Sequence, residues 1–376
     1  MRVLHLGKYY PPFDGGVETV TFQLAEGMTR RGIRSDVLCF HPRKSPESVE
    51  QWNGYTVTRA ATWGVAASTP LSAGFVRRLG EQAQDYDILH VHCPNPMAAL
   101  ALRLVNPKAR IVLHWHSDVI RQKRFNQAYR ALLGQWLACR ADAVIGATPA
   151  HVEASEYADV FRGKSHVIPF CLDPEPFAPE RADQAALARL RERFPGRKAV
   201  FALGRLISYK GFDVLVDAAA LLPDGWVALI GGSGPLEGEL RDRIRARGLE
   251  GKVVLLGKVP QEELSAHYRF CRVFCLPSVT RAEMYGMVQL EAMASGRPVV
   301  STRIEGSGVP YVNEHGVTGL TVTPGDAKAL AEAILEIDAD EARWKSMGEA
   351  GLAAARGRFS PGVMLSGVER LYRELA

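Results

Sequence analysis

Short apolar runs that alternate with helical patterns constrain the fold of this chain most strongly. Ten such runs, each three to six residues long, occur along the sequence. Runs of this length bounded by turn signals are typical of buried strands in a parallel sheet, with helices as the crossover connections. The chain therefore predicts two doubly wound α/β domains. The predicted strands are residues 3–6, 35–40, 88–91, 111–115 and 143–146, then 199–203, 226–230, 253–256, 273–276 and 299–301.

The length of the chain agrees with this division. At 376 residues it exceeds one ordinary core and suits two domains of about 150 to 200 residues each. Prolines in the stretch 166–177 disfavour regular structure and suit an interdomain link. We predict domains over residues 1–170 and 171–360, with a ligand cleft between the carboxyl ends of their strands. Residues 361–376 have the apolar spacing of a helix.

Composition narrows the class of protein. With 47% apolar and 23% charged residues the chain matches an average globular protein, and no apolar stretch approaches the roughly 18 residues that span a bilayer. Lys8, Pro11 and Pro12 interrupt the first apolar run, which predicts a buried strand and not a signal peptide. The six cysteines lack a metal-type spacing, which predicts reduced thiols in a cytoplasmic protein, without disulfides or structural zinc.

The net charge of +5 is unevenly distributed. Residues 1–170 carry 20 Lys and Arg against 14 Asp and Glu, whereas the remainder carries 26 against 27. Many of the N-terminal cations lie in residues 121–140, a stretch that also contains Leu132, Leu133, Trp136 and Leu137. The stretch fits an anionic membrane surface or a pyrophosphate-bearing acceptor, and equally a solvated helix face. Nucleic acid is not expected, because aromatic residues do not interleave with the basic ones.

The most informative local pattern is a pair of glutamates, Glu283 and Glu291, shortly before the predicted strand at 299–301. If a helix begins at Gly286, Glu291 lies about one and a half turns into it, while Glu283 stays in the preceding loop. The two carboxylates would then take separate positions around one ligand. The helix N-terminus would favour an anion such as a diphosphate. Taken alone, the pair also fits two solvated surface acids.

Two cations follow the predicted strand 199–203. Arg205 and Lys210 lie five residues apart in a turn that starts at Gly204. Fixed cations aimed at a departing diphosphate stabilise the charge that develops as the sugar bond breaks. The turn therefore predicts a diphosphate site, although an exposed loop with two ordinary basic residues has the same composition.

Two further glycine turns allow close approach of the backbone to a ligand. Gly231, Gly232 and Gly234 follow the strand 226–230, and Gly15 and Gly16 open a predicted helix after a Pro-rich turn. Backbone amides at the second turn suit phosphates or a sugar. Tight structural turns explain both patterns as well.

Histidines mark two strand ends in the first domain. His114 and His116 lie at the end of strand 111–115, and His90 and His92 lie around the end of strand 88–91. A histidine at a strand end is more often a satisfied structural group than a catalyst. Those that line the predicted cleft are candidates for contact with the transferred group, and His90 and His92 would lie on the acceptor side.

The run Arg281-Ala-Glu-Met-Tyr-Gly-Met-Val-Gln-Leu-Glu-Ala-Met-Ala-Ser-Gly-Arg-Pro298 resembles the donor-sugar segment of retaining glycosyltransferases of family 4. The resemblance spans nearly the whole chain. It implies the GT-B fold, in which two Rossmann-like α/β domains face each other across a cleft and a C-terminal helix, here 361–376, crosses back onto the first domain. Two departures from the family pattern are residues 168–173 of the linker and Met284 with Tyr285.

The resemblance also implies roles for particular residues. Glu283 would hold hydroxyls of the sugar, Glu291 the nucleotide ribose, Arg205 and Lys210 the diphosphate, and His116 the sugar from the first domain. Of the two strand-end histidines there, the family motif matches His116 and not His114. Residues 253–259 resemble the strand and loop that hold the nucleobase, with guanine and uracil both open. The other donor-binding positions implied are Gly15, Gly16, Gly204, Gly231, Gly232, Gly234, Val259, Met284, Tyr285, Gly286, Met287 and Val288.

Residues 307–319 resemble mannosyl and rhamnosyl transferases of polysaccharide and lipopolysaccharide assembly. This implies GDP-mannose or GDP-rhamnose as donor and a glycan or lipid-linked oligosaccharide as acceptor. Transfer would occur on one face with retention, and the leaving diphosphate would help to deprotonate the acceptor. The alternatives are a UDP-sugar-dependent transferase with a soluble acceptor, and an inactive nucleotide-sugar-binding protein. The expected location is cytoplasmic, peripheral at the inner face of the cell membrane.

Two Asp-any-Asp pairs match a metal-binding pattern of another glycosyltransferase class. Asp85 and Asp87 precede the strand 88–91, at its amino end, and Asp338 and Asp340 lie in a polar helical region. Neither pair follows a strand suited to a nucleotide. We therefore expect an enzyme without a cofactor or a required divalent metal.

Overall fold

The chain divides into two compact units. Unit 1 comprises Met1–Phe170 and Pro361–Ala376, and unit 2 comprises Cys171–Ser360. The computed structural model describes residues 1–13, 15–66, 69–118, 127 and 129–376. Each unit has its own sheet, so each is described by itself.

Unit 1 is built around an eight-stranded sheet. Its strands are β1 (Arg2–Leu6), β2 (Arg34–Phe40), β3 (Ser48–Gln51), β4 (Thr56–Ala60), β7 (Ile88–Cys93), β8 (Arg110–Trp115), β9 (Ala143–Gly146) and β10 (Ser165–Val167), and β5 (Gly64–Ala66) and β6 (Thr69–Leu71) form a separate hairpin. The order across the sheet is β10-β9-β8-β7-β1-β2-β4-β3. All neighbouring strands are parallel except β3 and β4 at the edge.

Helices connect these strands as the apolar spacing predicts. They are α1 (Gly16–Arg30), α2 (Ala73–Gln82), α3 (Pro96–Val105), α4 (Gln135–Arg140), α5 (Pro149–Glu153) and α6 (Ala158–Phe161). Helix α3 shows the local reasons for a start: Asn95 Oδ1 accepts from Ala98 N at 3.1 Å, and Pro96 occupies the first helical position. One side of α1 buries Val20 and Leu24, as expected of an amphipathic helix on a sheet.

Unit 2 contains a six-stranded sheet with all strands parallel. The strands are β11 (Lys198–Leu203), β12 (Trp226–Gly231), β13 (Val253–Gly257), β14 (Val273–Leu276), β15 (Val299–Thr302) and β16 (Gly319–Val322), in the order β13-β12-β11-β14-β15-β16. The helices are α7 (Gln184–Arg193), α8 (Phe212–Leu221), α9 (Glu237–Ala246), α10 (Leu264–Phe270), α11 (Val288–Ala294), α12 (Val309–Val312), α13 (Ala327–Ala339) and α14 (Glu341–Arg356).

The strand order reverses at one place in each sheet. In unit 1 this place lies between β1 and β7, and in unit 2 it lies between β11 and β14. Loops leave the carboxyl ends of two such strands in opposite directions, and ligands of open parallel sheets bind in the resulting crevice. The predicted cation turn follows β11, and Glu283 follows β14. Both therefore lie at the reversal point of unit 2.

The last helix, α15 (Pro361–Leu375), belongs to unit 1. Its Leu365 side chain fits against Gly27 of α1, where a Cβ would lie 2.6 Å from it. Arg31 at the end of α1 pairs with Glu369 at 3.0 Å. The side chains that α15 buries are Met364, Val368, Leu371 and Tyr372.

The prediction of two α/β domains with largely parallel sheets is confirmed, and each of the ten predicted strands coincides with an observed one. The sequence analysis missed β3 to β6, β10 and β16. In β4 the apolar pattern is interrupted by Arg59, which is nevertheless buried. Its guanidinium donates to Glu50 at 2.9 Å and to the Pro11 carbonyl at 2.7 Å. A charged residue can occupy a buried strand position when such partners satisfy it.

The sequence also makes predictions for the state of the cysteines and for membrane-spanning segments. All six cysteines are free thiols, and five of them are buried. Among the residues that the structure describes, no helix combines the length and the apolar character needed to cross a membrane.

Leu371→Ala should destabilise unit 1, because Leu371 is only 3% exposed and its removal leaves a cavity beneath α15. We expect the free energy of unfolding to fall by about 2–5 kcal/mol, measured by urea denaturation. Glu374→Ala, an exposed change on the same helix, is the control and should have little effect. Equal midpoints for the two variants would show that α15 adds nothing to the core of unit 1.

Candidate active site

The loop after β11 carries both predicted cations. Gly204 and Arg205 directly follow the strand, and Lys210 ends a single 3₁₀ turn before α8. Gly211 has a φ of +66°, and a Cβ built there would lie 2.1 Å from the carbonyl oxygen of Pro277. Glycine at this position therefore lets the loop lie directly against the segment that follows β14.

Lys210 forms a buried ion pair with Glu283. Nζ of the lysine lies 2.5 Å from Oε2 of the glutamate, and the two side chains are 13% and 9% exposed. The lysine side chain passes over Gly204, where a Cβ would lie 3.5 Å from Nζ. Arg205, by contrast, is exposed. One of the two predicted cations is thus fixed by a carboxylate, and the other extends into solvent.

Two buried serines hold Glu283 in place. Ser278 Oγ donates to Oε2 of Glu283 at 3.0 Å, the same oxygen that pairs with Lys210. Ser307 Oγ donates to the backbone carbonyl of Glu283. The sequence analysis identified neither serine. Ser278 lies just beyond the end of β14, at the carboxyl edge of the sheet, and that position was the available signal.

Glu291 lies in the first turn of α11, which begins at Val288 and not at Gly286. The φ of +75° at Gly286 is incompatible with a helix start. Tyr268 Oη donates to Glu291 Oε2 at 2.7 Å. Burial raises the pKa of Glu291 to about 7, whereas the Tyr268 hydrogen bond and the positive charge of Lys210 act to lower it. The two carboxylates therefore take separate positions around one cation.

The N-terminus of α11 favours an anion less than the sequence suggested. Helix α11 has only seven residues, so few peptide dipoles add up along it. The residues that precede it lie in different environments. Met284, Met287 and Val288 are half-buried, whereas Tyr285 is buried with its ring edge-on to Phe359. The ring of Tyr285 belongs to the core, and its carbonyl accepts from Gln289 Nε2 at 3.1 Å.

The glycine turn at residues 231–234 packs against the loop that carries Arg205 and Lys210. A Cβ on Gly232 would lie 1.9 Å from the carbonyl oxygen of Gly204, and one on Gly234 would lie 2.5 Å from the backbone of the same cation loop. A Cβ on Gly231 would lie 2.9 Å from Val259 Cγ2. The structure therefore brings the turn at residues 231–234, the cation loop and Val259 together at the carboxyl edge of the unit 2 sheet.

The glycine turn of unit 1 is already occupied by a carboxylate. Gly15 precedes α1, which begins at Gly16, and a Cβ on Gly15 would lie 2.1 Å from Glu18 Oε2. Burial raises the pKa of Glu18, and the charge of Lys8 opposes this. Since a carboxylate accepts hydroxyl hydrogens and repels phosphate, the turn suits a sugar better than a diphosphate.

His116 directly follows β8 and is 6% exposed. It does not stand alone, because His90, His92 and His114 are buried beside it together with His5 of β1. The sequence predicts His90, His92 and His114 as separate strand-end residues and gives no prediction for His5. The signal was the spacing of two within each strand, which puts alternate residues on one face of a sheet.

Both Asp-any-Asp pairs have structural contacts. Asp87 Oδ2 accepts from Arg2 N at 2.7 Å at the amino end of β7. Asp338 lies in α13 and accepts from Arg272 at 2.8 Å, and Asp340 caps α14 by accepting from its backbone amides.

Comparison with known proteins identifies the family. Residues 14–176 match the family model described as Glycosyltransferase Family 4, and residues 187–353 match Glycosyl transferases group 1. The O-antigen chain mannosyltransferase C of Escherichia coli is 34% identical, over 100% of this chain and 99% of its own length. The chain belongs to glycosyltransferase family 4. It is a glycosyltransferase, as the sequence predicts.

Other relatives of this glycosyltransferase agree with that assignment. D-rhamnosyltransferase WbpZ of Pseudomonas aeruginosa is 34% identical over 89% of this chain and 86% of its own. A GDP-mannose-dependent phosphatidylinositol monomannoside mannosyltransferase of Mycolicibacterium smegmatis is 30% identical over 91% and 90%. The solved structure of Anabaena Alr3699/HepE in complex with UDP has a TM-score of 0.79 at 22% identity, with both chains fully covered. This similarity is one of fold, and the GT-B fold class is confirmed.

The basic stretch of this glycosyltransferase is described only in part. Residues 121–124 lie outside the described residues. Arg130 pairs with Glu156 at 3.6 Å, and Arg140 donates to the carbonyl of Pro107 at 3.1 Å. The cations at 130 and 140 therefore have contacts within unit 1.

Glu291→Gln should change how stability depends on pH. The pKa of Glu291 is raised to about 7 in the folded state, from 4.5. Between these values only the unfolded state ionises, so the wild type loses stability as pH rises through this window, and above it the loss is constant. The Tm of Glu291→Gln relative to wild type should therefore be higher at about pH 8 than at about pH 5.

The matched control is Glu349→Gln, whose parent side chain is 67% exposed. Its Tm difference from wild type should not follow the same trend. If Glu291→Gln and Glu349→Gln behave alike across this range, Glu291 is ionised in the folded protein at ordinary pH.

Proposed function

We propose that this glycosyltransferase moves mannose or rhamnose from a GDP-sugar to a glycan or lipid-linked oligosaccharide, with retention at the anomeric carbon. The observation that carries the proposal is the arrangement at the reversal point of unit 2. There Lys210 pairs with Glu283 and lies close enough to Glu291 to lower its pKa. One cation between two carboxylates, beside two glycine turns, is suited to a ligand that has a diphosphate and several hydroxyls.

The diphosphate is assigned to Lys210 and Arg205. An ammonium group has three N–H donors, so Lys210 can keep its contact with Glu283 while it donates to a phosphate oxygen. The exposed guanidinium of Arg205 can bind phosphate oxygens in a bidentate manner. Both cations would stabilise the negative charge of the leaving diphosphate. That diphosphate would accept the proton of the acceptor hydroxyl, so no nucleophilic carboxylate is needed.

The hydroxyl groups are assigned to the carboxylates. Glu283, held by Ser278 and Lys210, would accept hydrogen bonds from the transferred sugar. Glu291 would accept from the ribose. His116 would contact the sugar, as the family resemblance implies. The backbone of residues 231–234 and the side chain of Val259 would border the nucleotide.

The choice of donor is supported by the relatives. Two of them are named as mannosyl or D-rhamnosyl transferases, and a third as GDP-mannose-dependent. Their alignment with 89–100% of this chain favours the same kind of reaction. We further propose that no divalent metal takes part, because Asp87, Asp338 and Asp340 are engaged by neighbouring groups.

We place the acceptor at the inner face of the cell membrane. Leu104 and Leu132 are exposed side chains of unit 1, 64% and 67% accessible, and Arg103 donates to the carbonyl of Leu132 at 3.0 Å. Apolar side chains beside cations suit the surface of an anionic bilayer. The basic run formed by Arg121, Lys123 and Arg124 adjoins this part of the sequence and would add to the attraction.

A donor screen tests the function directly. The purified protein is incubated with GDP-mannose, GDP-rhamnose or UDP-glucose, with and without a lipid-linked glycan, and nucleotide release is measured. We expect acceptor-dependent release of GDP that persists in EDTA, and an axial linkage retained from the donor in the product. Release of UDP alone, or a complete loss in EDTA that manganese restores, would contradict the proposal.

Arg205→Ala and Lys210→Ala should each slow transfer about a hundredfold, since one cation supplies roughly 3 kcal/mol to the transition state. Their effects on stability should differ. Lys210→Ala leaves the buried Glu283 unpaired and should lower the Tm, whereas Arg205 is exposed and should be neutral.

Lys198→Ala is the matched control for these variants. Lys198 lies at the other end of β11, is 51% exposed and pairs with Asp338 at 2.6 Å, so Lys198→Ala removes a lysine ion pair of the same strand away from the site. Transfer at the wild-type rate is expected. A folded Lys210→Ala variant with undiminished kcat would remove the phosphate role from Lys210.

A further inference from the structure

Five histidines form a buried array in unit 1. His5 lies on β1, His90 and His92 on β7, and His114 on β8, with His116 just after it. The register of the parallel strands sets His5 beside His90 and His92 beside His114. All five are between 0% and 6% exposed. Three hydrogen bonds join these rings to one another, and a fourth joins His90 to Tyr372.

Three of these rings form a hydrogen-bonded chain. His5 Nδ1 lies 3.2 Å from His92 Nε2, and His92 Nδ1 lies 3.0 Å from His116 Nε2. At one end, His5 Nε2 is buried and has no hydrogen-bond partner among the described residues. At the other end, the hydrogen bonds of the chain do not use Nδ1 of His116. His90 and His114 form a separate row that ends on Tyr372.

All three rings of the chain are neutral at ordinary pH. Burial lowers the pKa of His5 to about 3, although the charge of Asp36 opposes it. Burial and the neighbouring histidines lower the pKa of His92 and His116 well below the usual value. A neutral imidazole carries one N–H and one bare nitrogen.

This count allows only two arrangements of the protons. Each hydrogen bond needs one N–H and one bare nitrogen, so the proton position on His92 fixes both neighbours. If His92 carries its proton on Nδ1, His5 and His116 must do the same. If His92 carries it on Nε2, the other two must also carry theirs on Nε2. The tautomers of His5, His92 and His116 are therefore coupled across three strands.

The buried end of the chain distinguishes the two arrangements. With protons on Nε2, His5 would bury an N–H that has no acceptor among the described residues. With protons on Nδ1, it buries only a bare nitrogen. Orphaned buried N–H groups are the rarer case in native proteins. The Nδ1 arrangement is accordingly favoured.

We propose that the His5–His92–His116 chain fixes His116 as the Nδ1–H tautomer, so that His116 meets its ligand as a hydrogen-bond donor and not as a base. His5 and His92 are then positioning residues that act through His116. This inference rests on the proposed function where it identifies the ligand as the oxygen of a transferred sugar. The coupling of the tautomers does not depend on it.

The same rings suggest a metal site less well. One ring nitrogen from each of His5, His90 and His92 lies within 4.8 Å of the other two, and the same holds for His92, His114 and His116. A zinc ion needs lone pairs that converge at about 2.0–2.1 Å. The planes of His92, His114 and His116 lie only 15–24° apart, and lone pairs lie within the ring planes. The hydrogen bonds of the chain already use four of these nitrogens.

The test is ¹⁵N NMR of the full-length protein labelled at histidine. Proton-coupled ¹⁵N spectra distinguish a protonated from a bare ring nitrogen, and His116→Gln identifies the signals of His116. We expect His116 in a single form, with its proton on Nδ1 and a bare Nε2. A proton on Nε2 of His116, or an average of the two forms, would overturn the proposal.

Variants of His92 test the coupling. The amide of Asn lies near the place of Nδ1, so His92→Asn can still donate to His116, whereas His92→Leu cannot. The single Nδ1–H form of His116 should survive in the first variant and be lost in the second. His90→Leu is the matched control, because it removes an equally buried ring that has no hydrogen bond to His116. It should leave the tautomer of His116 unchanged.

Turnover gives a second readout. His92→Leu should lower kcat/KM for the donor about five- to tenfold, as expected for one hydrogen bond, and His92→Asn should recover most of it. The NMR result does not depend on turnover. An inactive protein with the expected tautomers would therefore refute the proposed function and still support the coupling of the histidine tautomers. A His92→Leu variant that keeps His116 in the Nδ1–H form would refute the coupling of the histidine tautomers.

Discussion

Parallel pairing of the strands is the constraint on which the chemistry of both units depends. Because all strands of the unit 2 sheet run in one direction, their carboxyl ends share one edge, and the reversal between β11 and β14 separates the loops there. The pair of Lys210 and Glu283 joins the two sides of that opening. In unit 1 the same pairing sets histidines of three strands in a row. Neither arrangement requires residues that are close in the sequence.

In the proposed function, Lys210 and Arg205 of unit 2 would contribute to diphosphate binding in different ways. Lys210 is held by a buried carboxylate and so keeps its position before a ligand arrives. A cation that is already in position does not have to move when negative charge develops on the leaving group. Arg205 is exposed, so in the proposed function its guanidinium would meet the diphosphate from the solvent side. Glu283, which fixes Lys210, would also reduce the net attraction of Lys210 for a phosphate, and Arg205 would supply the additional positive charge.

The sequence was sufficient for the architecture and for most of the loops that carry polar chemistry. Apolar runs reveal buried strands, and glycine and charged residues after a run reveal the carboxyl edge, so the sequence predicts the location of Gly204, Lys210 and Glu283 at that edge, where the structure has them. Contacts between side chains distant in sequence leave no such local pattern. The hydrogen bond from Tyr268 to Glu291, the support of Glu283 by Ser278 and the place of His5 beside His92 all depend on which strands become neighbours. The start of α11 was misplaced because glycine at 286 was taken as helical when its φ is positive.

The return of α15 to unit 1 has a consequence for the order of folding in the cell. Unit 1 takes its last buried helix from residues that the ribosome makes only after all of unit 2. Until α15 is made, Leu365 cannot cover the surface of α1 around Gly27. His90 likewise lacks its contact with Tyr372. Unit 2 is continuous in the chain and can complete its core earlier. Unit 1, which contains the first residues to be made, is therefore the second unit to complete its fold.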